Sequence, residues 1–249
     1  MWDSVYLRQL DRVARRQRHT DDDVRSGRDP SAHRGEMMRM LDLFSGLGGA
    51  SAAFVDNGWE VWRGDFNRLF FDPKSEYYVP HTVRWDAYND DVPSGAIDFL
   101  WASPPCYEFS MAYNSPRSIA IREGRPFQPD MTLIERTAEI IETVKPKYWA
   151  VENVMGASKF IEPILGKHRL LLDSAMIWGN FPIVGFTEME KGRKKRVGDK
   201  ARYSPIRANI RAKMPYWLSD QMRKSVQYQM MISDFEDSLG DVSWAYNDE

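Results

Sequence analysis

Short apolar runs alternate with amphipathic stretches through the middle of the chain. The runs have the length and residue types of buried strands, and they are MMRMLDLF (37–44), WEVWRGD (59–65), HTVRWDA (81–87), AIDFLWA (96–102) and KYWAVENV (147–154). Helical spacing follows in 48–58 and, most clearly, in 132–144, where Thr132 and Glu135 form a predicted capping box. Strands that alternate with helices predict an α/β fold, with a mostly parallel sheet covered by helices on both faces.

The pattern is looser towards both ends of the chain. LLLDSAMIW (170–178) and FPIVGF (181–186) are predicted to pair as an antiparallel hairpin. Ile210–Val226 has the apolar spacing of a helix, and Trp2–Arg18 is predicted to be an amphipathic helix that precedes a polar linker. The length of 249 residues fits one large domain, or one domain with a small appendage.

Composition excludes several classes of protein. The chain has one cysteine, so it forms no internal disulfide, and its four histidines lack the spacing of zinc ligands. No stretch reaches the roughly 20 apolar residues that span a bilayer, and no apolar signal segment opens the sequence. We therefore expect a cytoplasmic protein that uses no metal and contacts no membrane.

A net charge of −2 conceals a strongly basic region. Lys191–Lys213 contains ten lysines and arginines and a single acid, Asp199. Such a cluster is typical of phosphate binding, although a solvated basic loop has the same composition. The residues predicted to contact nucleic acid are Arg193, Lys194, Lys195, Arg196, Lys200 and Arg202.

A glycine-rich loop follows the first predicted strand. In LDLFSGLGGAS, Gly46, Gly48 and Ser51 nearly match the fingerprint with which a strand–loop–helix unit binds a nucleotide. Asp65 ends the next strand, where a carboxylate can bind ribose hydroxyls. Asp86 follows the strand after that and could accept a hydrogen bond from an adenine amino group. These residues indicate a nucleotide cofactor and leave NAD and S-adenosylmethionine as alternatives.

The single cysteine lies in WASPPCYEFS, directly after a predicted strand. The carboxyl ends of parallel strands meet at one edge, so Cys106 and the glycine loop should face the same crevice. Pro104 and Pro105 restrict the backbone before the thiol. Glu152 and Asn153, in VENV, end the next strong strand at that same edge. Cys106 is therefore a candidate nucleophile, the alternative being an inert buried cysteine.

The motifs DLFSGLGG, SPPCYEFS and VENV, in this order over Leu41–Val154, resemble the cytosine-C5 DNA methyltransferase family. The resemblance implies a Rossmann-like methyltransferase fold with S-adenosyl-L-methionine as cofactor in place of NAD. By this resemblance, the catalytic residues are Cys106, Glu152, Pro105 and Asn153. The cofactor-binding residues are Asp42, Phe44, Ser45, Gly46, Leu47, Gly48, Gly49, Asp65, Phe66, Asp86 and Pro104.

The residue types suit that chemistry. Cytosine C5 is a poor nucleophile, and addition of the Cys106 thiolate at C6 converts the ring into an enamine. A protonated Glu152 near N3 would relieve the charge that develops on the ring. Because a duplex hides C6, the cytosine must be flipped out or already be single-stranded. The stretch 107–130 is long for a connection and is predicted to close over the site as a lid.

The chain departs from the family pattern beyond Gly156. The family's glutamine-and-arginine motif is missing, and Arg193 or Arg196 would have to replace it. Arg211-Ala212 stands where the family's C-terminal motif has Gly-Asn. A stretch of only about twenty residues, rich in lysine and arginine, occupies the place of a target-recognition domain and is too short to fold alone. We therefore expect loose sequence preference, or a partner protein that supplies recognition.

The expected organisation has four parts: an N-terminal helical extension and linker (1–37), a catalytic domain (38–185), a basic loop (186–210), and a C-terminal helix with an acidic tail (211–249). The expected function is methylation of cytosine C5 in DNA by a compact protein of viral or prokaryotic origin. Two alternatives stay open. One is methylation of tRNA cytosine, and the other is a nucleic-acid-binding protein that has lost turnover.

Overall fold

The computed structural model describes residues 37–172, 175–183 and 204–239. The predicted helix 2–18, the linker after it, the basic cluster 193–202 and the acidic tail lie outside these residues. Seven strands form one sheet: β1 (Arg39–Leu43), β2 (Glu60–Asp65), β3 (Thr82–Arg84), β4 (Phe99–Ala102), β5 (Tyr148–Val154), β6 (Leu170–Leu172) and β7 (Ala175–Gly179). All five predicted strands are therefore confirmed.

The strand order in space is β3-β2-β1-β4-β5-β7-β6. Strands β1 to β5 pair in parallel, and β7 runs antiparallel to both β5 and β6. The first strand is thus in the middle of the sheet, flanked by β2 and β4. Each of these parallel connections crosses over a helix or a long loop, as a parallel pair requires. The prediction of a mostly parallel α/β sheet is confirmed.

A hairpin is present, but the segments that form it differ from the predicted ones. Both of its strands come from within LLLDSAMIW, where Leu170–Leu172 pairs with Ala175–Gly179. Phe181 lies beyond the second strand, and its ring is buried in the core. An apolar run is compatible with a buried strand or with a buried loop end, and periodicity alone did not separate them.

The described residues contain seven α-helices, five between the strands and two after the last strand: α1 (Ala52–Asp56), α2 (Arg68–Phe71), α3 (Pro116–Arg122), α4 (Thr132–Val144), α5 (Ser158–Leu165), α6 (Arg207–Ala212) and α7 (Tyr216–Leu239). The predicted strong helix is confirmed as α4. The predicted capping box is wrong, because Asp130 accepts hydrogen bonds from the backbone N and the hydroxyl of Thr132 (2.9 and 2.6 Å). The Thr132 hydroxyl therefore does not cap the helix.

Helix α3 lies inside the stretch that was expected to be a lid. It begins with a Ser-Pro signal: the Ser115 side chain accepts from the backbone N of Ser118, and Pro116 occupies the first helical turn. That signal is visible in the sequence. The helix gives the stretch after Cys106 a defined structure of its own.

Two apolar clusters cover the two faces of the sheet. On one face, Ile134 and Ile140 of α4 and Ile161 of α5 pack against Leu100 and Val151 of the strands. The residues of the other face are Phe54 of α1, Leu218, Met222 and Val226 of α7, and Phe99 and Trp101 of β4. The C-terminal helix therefore packs against the same sheet, on the side of α1. None of the helices in the described part of the chain has the length and apolar character needed to cross a membrane.

Candidate active site

The carboxyl ends of the parallel strands form one edge of the sheet, and the predicted site residues lie along it. In the spatial order of the strands, this edge carries Asp86 after β3, Asp65 at the end of β2, and the glycine loop 44–49 after β1. Next come Cys106, beyond the end of β4, and Glu152 within β5. Neighbouring strands lie about 4.8 Å apart, so this edge spans roughly 20 Å.

The glycine loop makes a tight turn that only glycine tolerates at two positions. Gly46 and Gly48 have φ of +50° and +65°, and Gly48 donates from its N to the carbonyl of Ser45 (2.8 Å). At Gly48 a Cβ would lie 2.8 Å from the Arg63 guanidinium carbon. Phe44 also has a positive φ of 56°, an uncommon conformation for a non-glycine residue. Leu47 is half-buried in the same turn.

Asp65 is tied to the glycine loop. Its Oδ2 accepts a hydrogen bond from the Gly46 backbone N (2.7 Å), and its Oδ1 accepts from the backbone N of Asn67 (2.8 Å). Burial raises the pKa of Asp65, and the backbone donors of Asn67 and Gly46 oppose that shift. Each carboxylate oxygen has a second lone pair for a ligand. The loop and the carboxylate thus form one hydrogen-bonded unit.

Beneath this loop lies a buried polar network that sequence reasoning missed. The Ser51 hydroxyl donates to Asp42 Oδ2 (2.5 Å) and accepts from Arg63 Nε (2.7 Å). Arg63 also donates to the carbonyl oxygens of Pro80 (2.7 Å) and Gly48 (3.4 Å). Burial, the largest cause, raises the pKa of Asp42 to about 7, against the opposing effects of the Arg63 charge and the Ser51 hydrogen bond.

Ser45 contributes a buried hydroxyl to the loop. Its backbone N donates to the carbonyl of Gly64 (3.1 Å), which fixes the turn against β2. The Ser45 Oγ is buried and has no hydrogen-bond partner within the described part of the chain. A buried hydroxyl without a partner costs free energy, so this group is available to a polar ligand.

Aromatic residues and a carboxylate occupy the β2–β3 end of the edge. Phe44 packs edge-on against Trp85, with ring centroids 5.2 Å apart. Phe66 is 66% exposed, and the Arg84 guanidinium lies 6.0 Å from its ring centroid. The Asn89 amide and then the Tyr88 backbone N hold the pKa of the Asp86 carboxyl below its usual value. Asp86 is thus an ionised acceptor at neutral pH.

Cys106 begins a tight turn after the prolines. Its carbonyl oxygen accepts from the backbone N of both Phe109 and Ser110, each at 3.0 Å. Pro104 is buried, Pro105 is exposed, and Cys106 is half-buried. Cys106 therefore lacks the full burial that is typical of an inert cysteine.

The next strand carries Glu152 and Asn153. Glu152 is half-buried, and Asn153 is 1% exposed. Asn153 Nδ2 donates to the Pro104 carbonyl oxygen (3.0 Å), and its Oδ1 accepts from the backbone N of Val154 (2.9 Å). The Asn153 side chain thus links the VENV segment to the SPPC segment. From its sequence position alone, Asn153 was also compatible with a turn at the end of the strand.

The C-terminal segment reaches the glycine loop. The Asn209 side-chain nitrogen lies 3.3 Å from the position a Cβ on Gly46 would take, and the Met214 carbonyl oxygen lies 2.5 Å from the corresponding position on Gly49. The sequence analysis expected Arg211-Ala212 at the position of the family's Gly-Asn. The asparagine next to the loop is instead Asn209, two residues earlier in the chain. Only its presence near a predicted helix start could have indicated it.

The remaining predictions concern ions and nucleic acid. Among the described residues, no group of histidine, cysteine, aspartate or glutamate is arranged to hold a metal ion. The six basic residues predicted to contact nucleic acid lie outside those residues. They stay predictions.

The strand order and the glycine loop after β1 define a Rossmann-like α/β fold whose candidate site lies at the carboxyl ends of the parallel strands. The family described as C-5 cytosine-specific DNA methylase matches residues 38–162, which is 125 of the 249 residues. The chain belongs to this family. The matched region contains the glycine loop, the Cys106 turn and the VENV strand, so the sequence-based assignment to the family is confirmed.

Individual proteins show the same similarity. A probable DNA (cytosine-5)-methyltransferase of Frog virus 3 (isolate Goorha) is 33% identical over 122 residues, covering 47% of this chain and 53% of that protein. The type II methyltransferase M.FnuDI of Fusobacterium nucleatum is 25% identical over 123 residues, covering 48% and 33%. The chain thus spans about half and a third of the lengths of these relatives.

Among solved structures, a TehB-like SAM-dependent methyltransferase from Corynebacterium glutamicum aligns at a TM-score of 0.38 and 11% identity. The alignment covers 68% of this chain and 97% of that one.

Proposed function

We propose that this chain transfers the methyl group of S-adenosylmethionine to C5 of cytosine in DNA, through a transient bond between Cys106 and C6 of the base. The observation that carries the proposal is the hydrogen bond from Asn153 to the Pro104 carbonyl oxygen. It joins the cysteine turn to the strand that holds Glu152, beside a glycine loop on the adjacent strand. Membership of the family supplies the reaction type.

The residues at the edge fit the cofactor. At Gly48 and Gly49 the space of a side chain is filled by Arg63 and by the Met214 backbone, so these glycines let the loop pack tightly against the chain beneath it. Ser45 presents a buried hydroxyl, and Asp65 presents a carboxylate suited to ribose hydroxyls. Asp86 would accept from the adenine amino group, with Phe66 beside it. We assign the remaining predicted residues to the walls of the same site: Phe44 and Leu47 in the loop, Asp42 near the end of β1 beneath it, and Pro104 before the cysteine.

S-adenosylmethionine supplies an electrophilic methyl group when it is bound. The Cys106 thiolate forms a bond from Sγ to C6, while a protonated Glu152 hydrogen-bonds N3 and neutralises the ring. C5 would then be nucleophilic and take the methyl group, whose bond to the cofactor's sulfur breaks to leave S-adenosylhomocysteine. Loss of the C5 proton to a base and cleavage of the Sγ–C6 bond restore the aromatic ring and the free thiolate. Pro105 and Asn153 hold the turn that aims the thiol.

The substrate is DNA with the target cytosine flipped out of the stack, since C6 is inaccessible in a duplex. The basic residues between 193 and 202 would contact phosphates, which makes binding depend on salt and little on sequence. We retain the division into a catalytic domain at 38–185, a basic loop at 186–210 and a returning C-terminal helix as part of this proposal.

The test is transfer of a labelled methyl group to random-sequence duplex DNA, with the product nucleoside identified. We expect 5-methylcytosine from the parent and none from Cys106→Ser, which should keep its affinity for the cofactor. Cys106 is the only cysteine in the chain, so no second thiol can substitute. Transfer by Cys106→Ser at the parent rate would remove Cys106 from the mechanism.

Acceptors other than DNA separate the alternatives. Transfer to tRNA with none to DNA would replace the DNA substrate by RNA. Cofactor binding without transfer to either acceptor would instead identify a binding protein that has lost turnover. Binding of NAD and not of S-adenosylmethionine would overturn the cofactor assignment.

A further inference from the structure

We propose that Arg117 is a positioning residue that clamps the cysteine turn to the loop after VENV, and so fixes Cys106 relative to Glu152. The proposal rests on the proposed function of Cys106 and Glu152. Arg117 lies in helix α3, which belongs to neither motif. The resemblance to the family assigned it no role.

One guanidinium nitrogen bridges the two segments. Arg117 Nη1 donates to the carbonyl oxygen of Gly156 at 2.7 Å and lies 3.3 Å from the carbonyl oxygen of Phe109. Gly156 follows the VENV strand, and Phe109 follows Cys106 by three residues. A single side chain therefore satisfies one backbone acceptor on each side of the proposed site.

The two segments touch at a position that requires glycine. A Cβ on Gly156 would lie 2.5 Å from the Phe109 carbonyl oxygen and 2.8 Å from Arg117 Nη1. Real Cβ atoms do not approach a backbone oxygen this closely. Gly156 therefore permits the approach of the two backbones that Arg117 holds together.

Phe109 transmits this restraint to Cys106. Its backbone N donates to the Cys106 carbonyl oxygen at 3.0 Å, so the Phe109 peptide belongs to the same turn as the thiol. The Phe109 ring is 1% exposed and lies 6.0 Å from the ring of Phe160 in α5. The Arg117 guanidinium lies 5.8 Å from that same Phe160 ring. Arg117 and Phe109 thus both lie against the ring of Phe160.

Helix α3 is itself anchored to the turn. Ser115 lies two residues before Arg117 and is buried. Its hydroxyl donates to the carbonyl oxygen of Ser110 (2.5 Å). Ser110 in turn donates from its backbone N to Cys106 (3.0 Å). The start of the helix is therefore linked to the cysteine turn by consecutive hydrogen bonds.

Asn153 holds the opposite side of the turn through Pro104. Two links therefore hold the cysteine turn. Asn153 of β5 binds Pro104, two residues before Cys106, and Arg117 joins Phe109, three residues after Cys106, to Gly156. Loss of either link would let the turn shift while leaving the glycine loop untouched. A misplacement of about 1 Å can reduce a rate by roughly 100-fold. The expected effect is therefore on turnover and not on cofactor binding.

The experiment compares Arg117→Met with Arg122→Met in the full chain. Arg122 lies on the same helix, and its contacts stay within its own segment, where it donates to the Tyr113 carbonyl oxygen (2.6 Å) and stacks 4.0 Å from the Tyr113 ring. Both substitutions remove one positive charge. Steady-state methyl transfer to duplex DNA gives kcat and the KM for each substrate, and Arg117→Lys tests rescue by a shorter donor.

We expect Arg117→Met to lower kcat about 10- to 100-fold, with the KM for S-adenosylmethionine within twofold of the parent value. Arg117→Lys should recover part of the loss, and Arg122→Met should match the parent. A purely structural role would lower stability and weaken both substrates together, without a split between kcat and KM. An Arg117→Met kcat equal to that of Arg122→Met would overturn the clamp.

Hydrogen exchange supplies a measurement that needs no activity. The amides of Phe109 and Ser110 donate to the Cys106 carbonyl oxygen, so they should exchange several-fold faster in Arg117→Met and at the parent rate in Arg122→Met. If the parent transfers no methyl group, the proposed function fails, and this comparison decides on the clamp by itself. Equal exchange in the two variants would then overturn it, and faster exchange in Arg117→Met would support it.

Discussion

The side-chain amide of Asn153 donates a hydrogen bond to the backbone carbonyl of Pro104 across 3.0 Å, and both groups are buried. This bond connects the ends of two neighbouring parallel strands, β4 and β5. It explains why an asparagine directly follows Glu152 at a position where the side chain is almost inaccessible. The Pro104 carbonyl lies beyond the end of β4, and the Asn153 amide supplies the hydrogen-bond donor that water would otherwise provide.

Replacing Asn153 by Ala should therefore affect both stability and turnover. The Pro104 carbonyl loses its donor inside the protein, which costs about 1–3 kcal/mol of the free energy of unfolding. Because the turn then loses one of its two links, kcat for methyl transfer should fall more than about 10-fold. Urea unfolding and steady-state kinetics measure the two effects separately.

Asn180→Ala is the matched control for this variant. Its side chain accepts from the backbone N of Trp149 (2.6 Å) and donates to the carbonyl of Lys147 (3.2 Å), at the opposite end of β5. It should lower stability and leave kcat unchanged. An equal loss of kcat in both variants would show that the effect comes from stability alone.

The buried carboxyl of Asp42 should make stability depend on pH. Folding raises its pKa from 3.8 to about 7, so the folded state retains a proton that the unfolded chain releases between these values. The stabilising contribution is full below pH 3.8 and is lost as the pH rises to about 7, at on the order of 1 kcal/mol per pH unit.

Asp42→Asn removes this titration. The stability of the parent relative to Asp42→Asn should therefore be greatest below pH 3.8 and should decline as the pH rises to about 7, as measured by urea unfolding at each pH. Asp65, whose pKa is also raised by burial, is present in both proteins, so the difference reports the titration of Asp42 together with its electrostatic interaction with Asp65. Parallel pH profiles for the two proteins would contradict the assignment of the raised pKa to Asp42.

Arg63 should be among the most costly residues to remove. It donates to Ser51 and to the Pro80 and Gly48 carbonyls, and its charge opposes the rise in the pKa of Asp42. Arg63→Met should lower the free energy of unfolding by about 3–5 kcal/mol. It should also weaken S-adenosylmethionine binding, because the glycine loop loses a donor from below.

A double-mutant cycle tests the coupling between Arg63 and Asp42. The combined variant, Arg63→Met with Asp42→Asn, should lose less stability than the sum of the single variants, since neither charge is then left alone in the interior. Arg39→Met serves as the control on the adjacent strand, because its pair with Glu60 is 3.7 Å long and partly exposed. Its cost should be about 0–1 kcal/mol. Strict additivity of the first two variants would disprove the coupling.

The placement of the site residues at one edge of the sheet could be predicted from the sequence, because strand ends in a parallel sheet fall at one edge whatever the helices do. The order of the strands along that edge came from the structure. The motifs then place Gly46, Cys106 and Glu152 on successive strands without any knowledge of side-chain contacts. The family resemblance contributed the chemistry and the identity of the cofactor. It did so from short motifs that occupy strand ends.

The contacts between these motifs could not be predicted in the same way. Asn209 meets Gly46 from a distant part of the chain, and Arg63 lies in a strand where a buried arginine contradicts the apolar pattern. The helix begins at Thr132 itself, without a side-chain capping bond, and the Thr132 hydroxyl donates to Asp130. Such side-chain geometry depends on packing that periodicity does not encode.

At Gly49 the glycine loop meets Met214, in the link before α7, and this contact allows the last test. Its φ lies outside the left-handed region, so an alanine there is not strained by conformation. Its Cβ would nevertheless lie 2.5 Å from the Met214 carbonyl oxygen and 2.8 Å from the Met214 N. Nearby, the Ser219 hydroxyl donates to the Ala50 carbonyl (2.7 Å) and accepts from the Ala53 N (3.0 Å). A backbone displaced at Met214 would disturb both bonds.

Gly49→Ala should therefore weaken S-adenosylmethionine binding at least about 10-fold, equivalent to about 1.4 kcal/mol, and should speed hydrogen exchange in the first turns of α7. Gly58→Ala is the control. Its φ of +81° makes alanine unfavourable by roughly 1–2 kcal/mol, but nothing lies within 4 Å of the added Cβ. It should lower the melting temperature without changing cofactor affinity. Calorimetric titration of both variants decides the matter, because equal affinities would mean that α7 and the link before it do not support the cofactor loop.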